Sequence, residues 1–216
     1  MKKYILILFS MFSLNSFAQF TTVDLFNPPS QISFSENGYY YKDTTGYFNQ
    51  FLGTWQYQDA TTTYILEFDK RTFTADFPNV NTTYKYDDLI GALKVIKNGV
   101  VIYDDLATLE QNHTRAADYN ICLGIRVGNY NNCYMCSYPE QRFSLSYNEP
   151  DNDNYAYFNL HILIHTYAEN GITKLRLVFL SDQVNPDSFF SINDSSLPPT
   201  KTQLYLGYGT FDFVKI

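Results

Sequence analysis

The sequence predicts an all-β protein: an antiparallel meander of about eight to ten short strands that closes into a barrel, with a β-sandwich as the alternative way to hide its sheet edges. Three observations predict it. Apolar and polar residues alternate with a period of two through much of the chain, the rhythm of a strand with one buried face, whereas stripes at helical spacing are scarce. Asn98-Gly99 and Asn170-Gly171 stand between such runs and accept the two positive φ angles that a tight type I′ hairpin needs. The remaining connections are rich in Asn, Asp, Ser or Pro, and none is a linker long enough to demand two domains.

The first element is a leader. Lys2 and Lys3 precede the apolar run Tyr4 to Leu14, and small and polar positions end at Ser16-Phe17-Ala18, the order of a secretory signal peptide over residues 1–18. The run is too short to span a bilayer, no later segment approaches the roughly 20 apolar residues of a transmembrane helix, and no cysteine sits at the cut to take a lipid. The mature chain is expected in the periplasm or outside the cell. Residues 19–47, with Pro28-Pro29 and Tyr39-Tyr40-Tyr41, read as an extended N-terminal arm, and 48–216 as a single barrel domain.

Within that domain, Trp55 and Tyr57 face one way and Gln56 and Gln58 the other, and Tyr64, Leu66 and Phe68 oppose Glu67 and Asp69. Leu89 to Ile96 is expected to pair across Asn98-Gly99 with Val100 to Tyr103, and Tyr155 to Tyr167 across Asn170-Gly171 with Thr173 to Leu180. Between them, Ile121, Leu123, Ile125 and Val127 alternate with Cys122, Gly124 and Arg126, and Phe143, Leu145 and Tyr147 alternate with serines. Leu204, Leu206 and Tyr208 open a last run that reaches Ile216. Leu106 to Asp118 is the one loop with room for a short helix.

Charge and motifs narrow the function. Without its leader the chain carries 13 basic and 22 acidic residues and no basic cluster, so nucleic acid and anionic membranes have no electrostatic footprint to bind. A strand from Ile121 to Val127 that turned at Gly128-Asn129-Tyr130 would place Cys136 at the mirror position of Cys122, which makes a Cys122–Cys136 disulfide the expected pairing; the rivals are free thiols, a CxxC redox pair at Cys133 and Cys136, and a zinc site. His161 and His165 lie in a strand-forming run, where four residues span roughly 13 Å, too far to chelate one metal. Glu149 to Asn154 spaces oxygen ligands like a calcium loop, but Ala156 and Ile162 occupy the positions that need glycine and an acid. No nucleophile elbow, phosphate loop or dinucleotide fingerprint is present. No catalytic, metal or cofactor residue is therefore assigned.

Phe48-Asn49-Gln50-Phe51-Leu52-Gly53-Thr54-Trp55 resembles the opening of lipocalin-like, or calycin, barrels, in which a short helical turn delivers a Gly-x-Trp into the first strand. The chain is similar, too, to uncharacterised secreted bacterial proteins that share a GTW start, an Ile-Gly element, here Ile90-Gly91, and a basic residue near the C-terminus, here Lys215. The resemblance implies a calycin barrel in which Trp55 plugs one end, Lys215 stacks over it, and Trp55, Tyr57, Leu66 and Phe68 line the interior. It implies a non-enzymatic protein whose partner is a small hydrophobic molecule. A second reading, a carbohydrate-binding or interaction module, rests on Tyr39, Tyr40, Tyr41 and Tyr47 as exposed aromatic faces. A hydrolase acting through His161 or His165 is the third.

Overall fold

A computed structural model describes residues 19–128, 141–148, 160–179 and 204–216. They form strands β1 (Thr21–Asp24), β2 (Tyr39–Lys42), β3 (Gly53–Gln58), β4 (Thr62–Phe77), β5 (Thr82–Lys97), β6 (Val100–Asp104), β7 (Ile121–Gly128), β8 (Gln141–Tyr147), β9 (Leu160–Glu169), β10 (Ile172–Phe179) and β11 (Gly209–Lys215). Helix is confined, among the described residues, to single 3-10 turns at Tyr47–Gln50, Pro78–Val80, Leu106–Glu110 and Ala116–Asp118. The chain divides into two compact units, one of residues 1–45 and 74–86, the other of 46–73 and 87–216.

In the larger unit the strands run β5-β4-β3-β11-β10-β9-β8-β7, and β7 returns to β5 through Gly91 and Ile121. This is a closed antiparallel barrel of eight strands, and the closing pair excludes the sandwich. Closure depends on Gly91, because a Cβ there would stand 2.8 Å from the Phe68 ring and 3.2 Å from the Ile121 side chain. Both Asn-Gly hairpins form as predicted. Asn98 and Gly99 have φ of 50° and 79° between β5 and β6, and Asn170 and Gly171 have 51° and 77° between β9 and β10.

The alternation of β7 breaks partway. Leu123 takes φ +52° at a bulge between Cys122 and Ile125, and the extra residue reverses which face each later side chain meets. Ile125, grouped by the sequence with Ile121, pairs with Ser144 and is 64% exposed, while Arg126 pairs with Phe143. The expected turn at residues 128–130 is corrected as well: Gly128 pairs with Gln141, and Cys122 lies opposite Ser146. This register keeps Phe143, Leu145 and Tyr147 level with Ile164, Ile162 and Leu160 on the inward face. Cys122 is buried with a free thiol; Cys133, Cys136 and Glu149 to Asn154 fall outside the described residues.

In the smaller unit, β1 and β2 run parallel to each other, and β2 runs parallel to β5, not antiparallel. The connection over residues 25–38 is long enough to carry the chain back for a parallel pairing. Tyr41 is wholly buried there against Val23 and Tyr84. Its hydroxyl donates to the Ser33 carbonyl at 2.6 Å and accepts from the Glu36 N–H at 2.9 Å.

Candidate functional site

The barrel's inward face can be followed by register. Trp55 lies level with Leu66 on β4 and Lys215 on β11, and Gly53 with Phe68. From β11 the same face continues through Phe213 and Phe211 to Leu175 and Leu177, then to Ile164 and Phe143. These apolar partners fix the face, since a one-residue slip would turn all of them to solvent.

One end is closed by aromatic packing. The 3-10 turn at Tyr47–Gln50 delivers Phe48 and Phe51 against Phe143, with ring centroids 5.3 and 6.0 Å away. Trp55 is fully buried beside them, and its indole N–H donates to the Phe51 carbonyl at 2.7 Å, so the turn and the first barrel strand are tied by the one polar atom of the plug. The Lys215 ammonium lies 5.4 Å from the indole centroid. Gly53 makes room for it, since a Cβ there would stand 3.1 Å from Lys215 Cε. The Arg126 guanidinium faces the Tyr47 ring at 5.8 Å; burial raises the pKa of that phenol and the nearby cation opposes the rise.

The middle is filled. A void large enough for a ligand would expose the side chains lining it, yet Trp55, Leu66, Leu175, Leu177, Ile164 and Phe213 are all at 0% exposure. Two residues further along β3 the packing opens. Tyr57 is half-buried and stacks on Tyr64 at 6.0 Å, with Phe211 edge-on to them at 5.1 and 5.3 Å. The Tyr64 hydroxyl accepts from the Gly207 N–H at 3.2 Å, and Tyr57 donates to Asp59 at 3.4 Å.

A separate pocket of about 590 Å³ is lined by Leu52, Phe68, Leu106 and Leu109 with the acids Glu67, Asp69, Asp104 and Glu110. Arg71 holds Asp69 at 3.2 Å and Lys94 holds Asp104 at 2.7 Å. Its sign disfavours a fatty carboxylate there.

The expected site residues thus separate: Trp55 and Leu66 lie in the filled part, Lys215 sits exposed over the Trp55 ring, Phe68 lines the acidic pocket, and Tyr57 lies beside Tyr64 and Phe211, which the sequence alone did not single out as a site. Their signal was the alternation of Phe211 and Phe213 around Asp212. Of the exposed-tyrosine set, Tyr41 is buried and Tyr47 belongs to the closed end, so neither offers a free face. His161 and His165 pair with Ser146 and Arg176 on the outward face of β9. Burial holds the His161 pKa below its ordinary value, and no group of metal-ligating side chains occurs among the described residues.

Three further acids, Asp87, Asp88 and Asp105, serve the fold through hydrogen bonds. Asp87 accepts from the Thr72 hydroxyl at 2.7 Å. Asp105 accepts from the Leu93 N–H at 2.6 Å. Asp88, 3% exposed, accepts from the N–H groups of Leu89, Leu123 and Gly124 at 2.9, 3.0 and 3.4 Å and so pins the β7 bulge. Desolvation pushes its pKa up to about 7 against the pull of these three bonds. The Cys122 thiol is pushed up to about 12, chiefly by burial and then by the nearby Asp88, which leaves it protonated and a poor nucleophile.

No curated protein and no solved structure matches the chain. The model of a family of unknown function, DUF6705, matches residues 1–202, and the protein belongs to that family.

Proposed function

We propose that this protein is an exported, non-enzymatic, lipocalin-like barrel that takes a small apolar or aromatic molecule at the end marked by Tyr57, Tyr64 and Phe211. The observation that carries the reading is the contrast along β3, where a sealed aromatic plug at Trp55 gives way within two residues to the half-buried rings of Tyr57 and Phe211 around a buried Tyr64. The leader-like residues 1–18 support export. The filled middle limits the ligand to a shallow seat, which favours a flat ring over a long acyl chain.

Titration with N-phenylnaphthylamine, retinol and palmitate, read by probe fluorescence and by thermal shift, tests it. The aromatic probes should raise the melting temperature in proportion to the logarithm of their concentration above the dissociation constant. Tyr57→Glu should abolish that response while Lys215→Ala leaves it. Silence toward all three compounds would overturn the ligand reading, and a response untouched by Tyr57→Glu would move the seat elsewhere.

A further inference from the structure

A pocket of about 590 Å³ lies between the Leu52-Gly53 start of β3, Glu67 to Asp69 of β4 and the 3-10 turn Leu106–Glu110, and none of Tyr57, Tyr64 and Phe211 lines it. Its volume is that of a small-molecule site. The far wall is fastened from behind, because the Arg71 guanidinium donates to the carbonyls of Leu109 and Gln111 and, at 2.6 Å, to the Tyr119 hydroxyl. The same side chain holds Asp69 at 3.2 Å, so one arginine ties the turn to β4 and sets the shape of the pocket before any ligand arrives. The lining joins two chemistries. Leu52, Phe68, Leu106 and Leu109 supply apolar surface, and four acids stand among them. Asp69 and Asp104 have their cations in Arg71 and Lys94, whereas neither Glu67 nor Glu110 has an ion-pair partner among the described residues. Lys215 passes Gly53, but its ammonium is drawn over the Trp55 ring.

We propose that this pocket binds a small organic cation with an apolar body, a protonated or quaternary amine carrying a ring or a short alkyl chain. Its charge answers Glu67 and Glu110, and its body covers the apolar part of the lining. Complementarity selects this class over its rivals. An anion meets two uncompensated carboxylates. A neutral apolar molecule takes water from those carboxylates and returns nothing to them. A compact metal ion needs several oxygens converging on one point, and among the described residues no three acids, histidines or cysteines come together in that way. The acids border an apolar surface instead, which suits a charge attached to a bulky, weakly hydrated body.

Two ions of one shape and opposite sign, tetraphenylphosphonium and tetraphenylborate, test the proposal when each is titrated calorimetrically into the purified protein. The phosphonium should bind more tightly than the borate by about tenfold or more, and added salt should weaken it. Glu67→Gln together with Glu110→Gln should weaken the phosphonium by about tenfold, since two charges are removed and the shape is kept. Ala107→Arg, which sets a guanidinium in the lining at an exposed position, should abolish its binding. All three side chains reach solvent, so an unchanged circular-dichroism melt shows that the fold persists. Silence toward the phosphonium, equal binding of the two ions, or binding that survives both sets of substitutions would overturn the proposal.

Discussion

Removing the Asp88 carboxyl should change how stability responds to pH. At 3% exposure the group is shielded from solvent, and its pKa of about 7 lies above the ordinary 3.8. A carboxyl whose folded pKa is raised binds its proton more tightly in the native state, so its contribution is complete below about pH 4 and is lost as pH rises toward 7. The rise from 3.8 to about 7 corresponds to about 4 kcal/mol. Against this, Asp88→Ala strands the N–H groups of Leu89, Leu123 and Gly124, at a cost of roughly 1–3 kcal/mol for each one that water cannot reach. Leu123 is 46% exposed, so its donor finds water and the net cost at acid pH is about 3 kcal/mol, or roughly 6–12 °C in melting temperature for a domain of this size. The assay is urea unfolding of both proteins at half-unit steps from pH 4.5 to 8.5, because the difference between them cancels the other titrating groups. The wild-type advantage should shrink steadily, reach zero near pH 6 and reverse by about 1 kcal/mol above pH 7. An advantage that stays constant within about 1 kcal/mol across this range, or grows with pH, would show that the native carboxyl is ionised throughout and that the three bonds outweigh its desolvation.

Two further substitutions probe the plug and the seam. Trp55→Ala should cost about 3–5 kcal/mol for the cavity it leaves, while Trp55→Phe, which keeps most of the plug but loses the bond to the Phe51 carbonyl, should cost only about 1–2 kcal/mol in urea unfolding. Gly91→Ala forces a methyl against the Phe68 ring and should cost about 1–3 kcal/mol; Phe68→Leu in the same chain should recover most of the loss, and an unrecovered loss would place the strain in the backbone.

What could be read from the sequence was whatever depends on neighbours along the chain. The Asn-Gly hairpins are set by two consecutive backbone angles, and both form. The indole of Trp55 is placed by a glycine two residues earlier, and its ring meets Lys215 because β3 and β11 share a register. The β7 bulge is different in kind. Its alternating residues describe a regular strand to Val127, but the backbone of Leu123 is held by Asp88, 35 residues away on another strand, and no local pattern announces that clamp. The consequence propagates. By reversing the faces, the bulge turns Ile125 out and Arg126 in, and it contributes to the register that leaves Cys122 opposite Ser146 instead of Cys136. The arm escaped in the same way, since its Tyr41 looks like one of three equivalent tyrosines until a parallel pairing to β5 selects it for burial. Long-range pairing thus decides which of several equally patterned residues becomes core and which becomes surface, and in this barrel one buried carboxyl makes that decision for the part of β7 that follows Leu123.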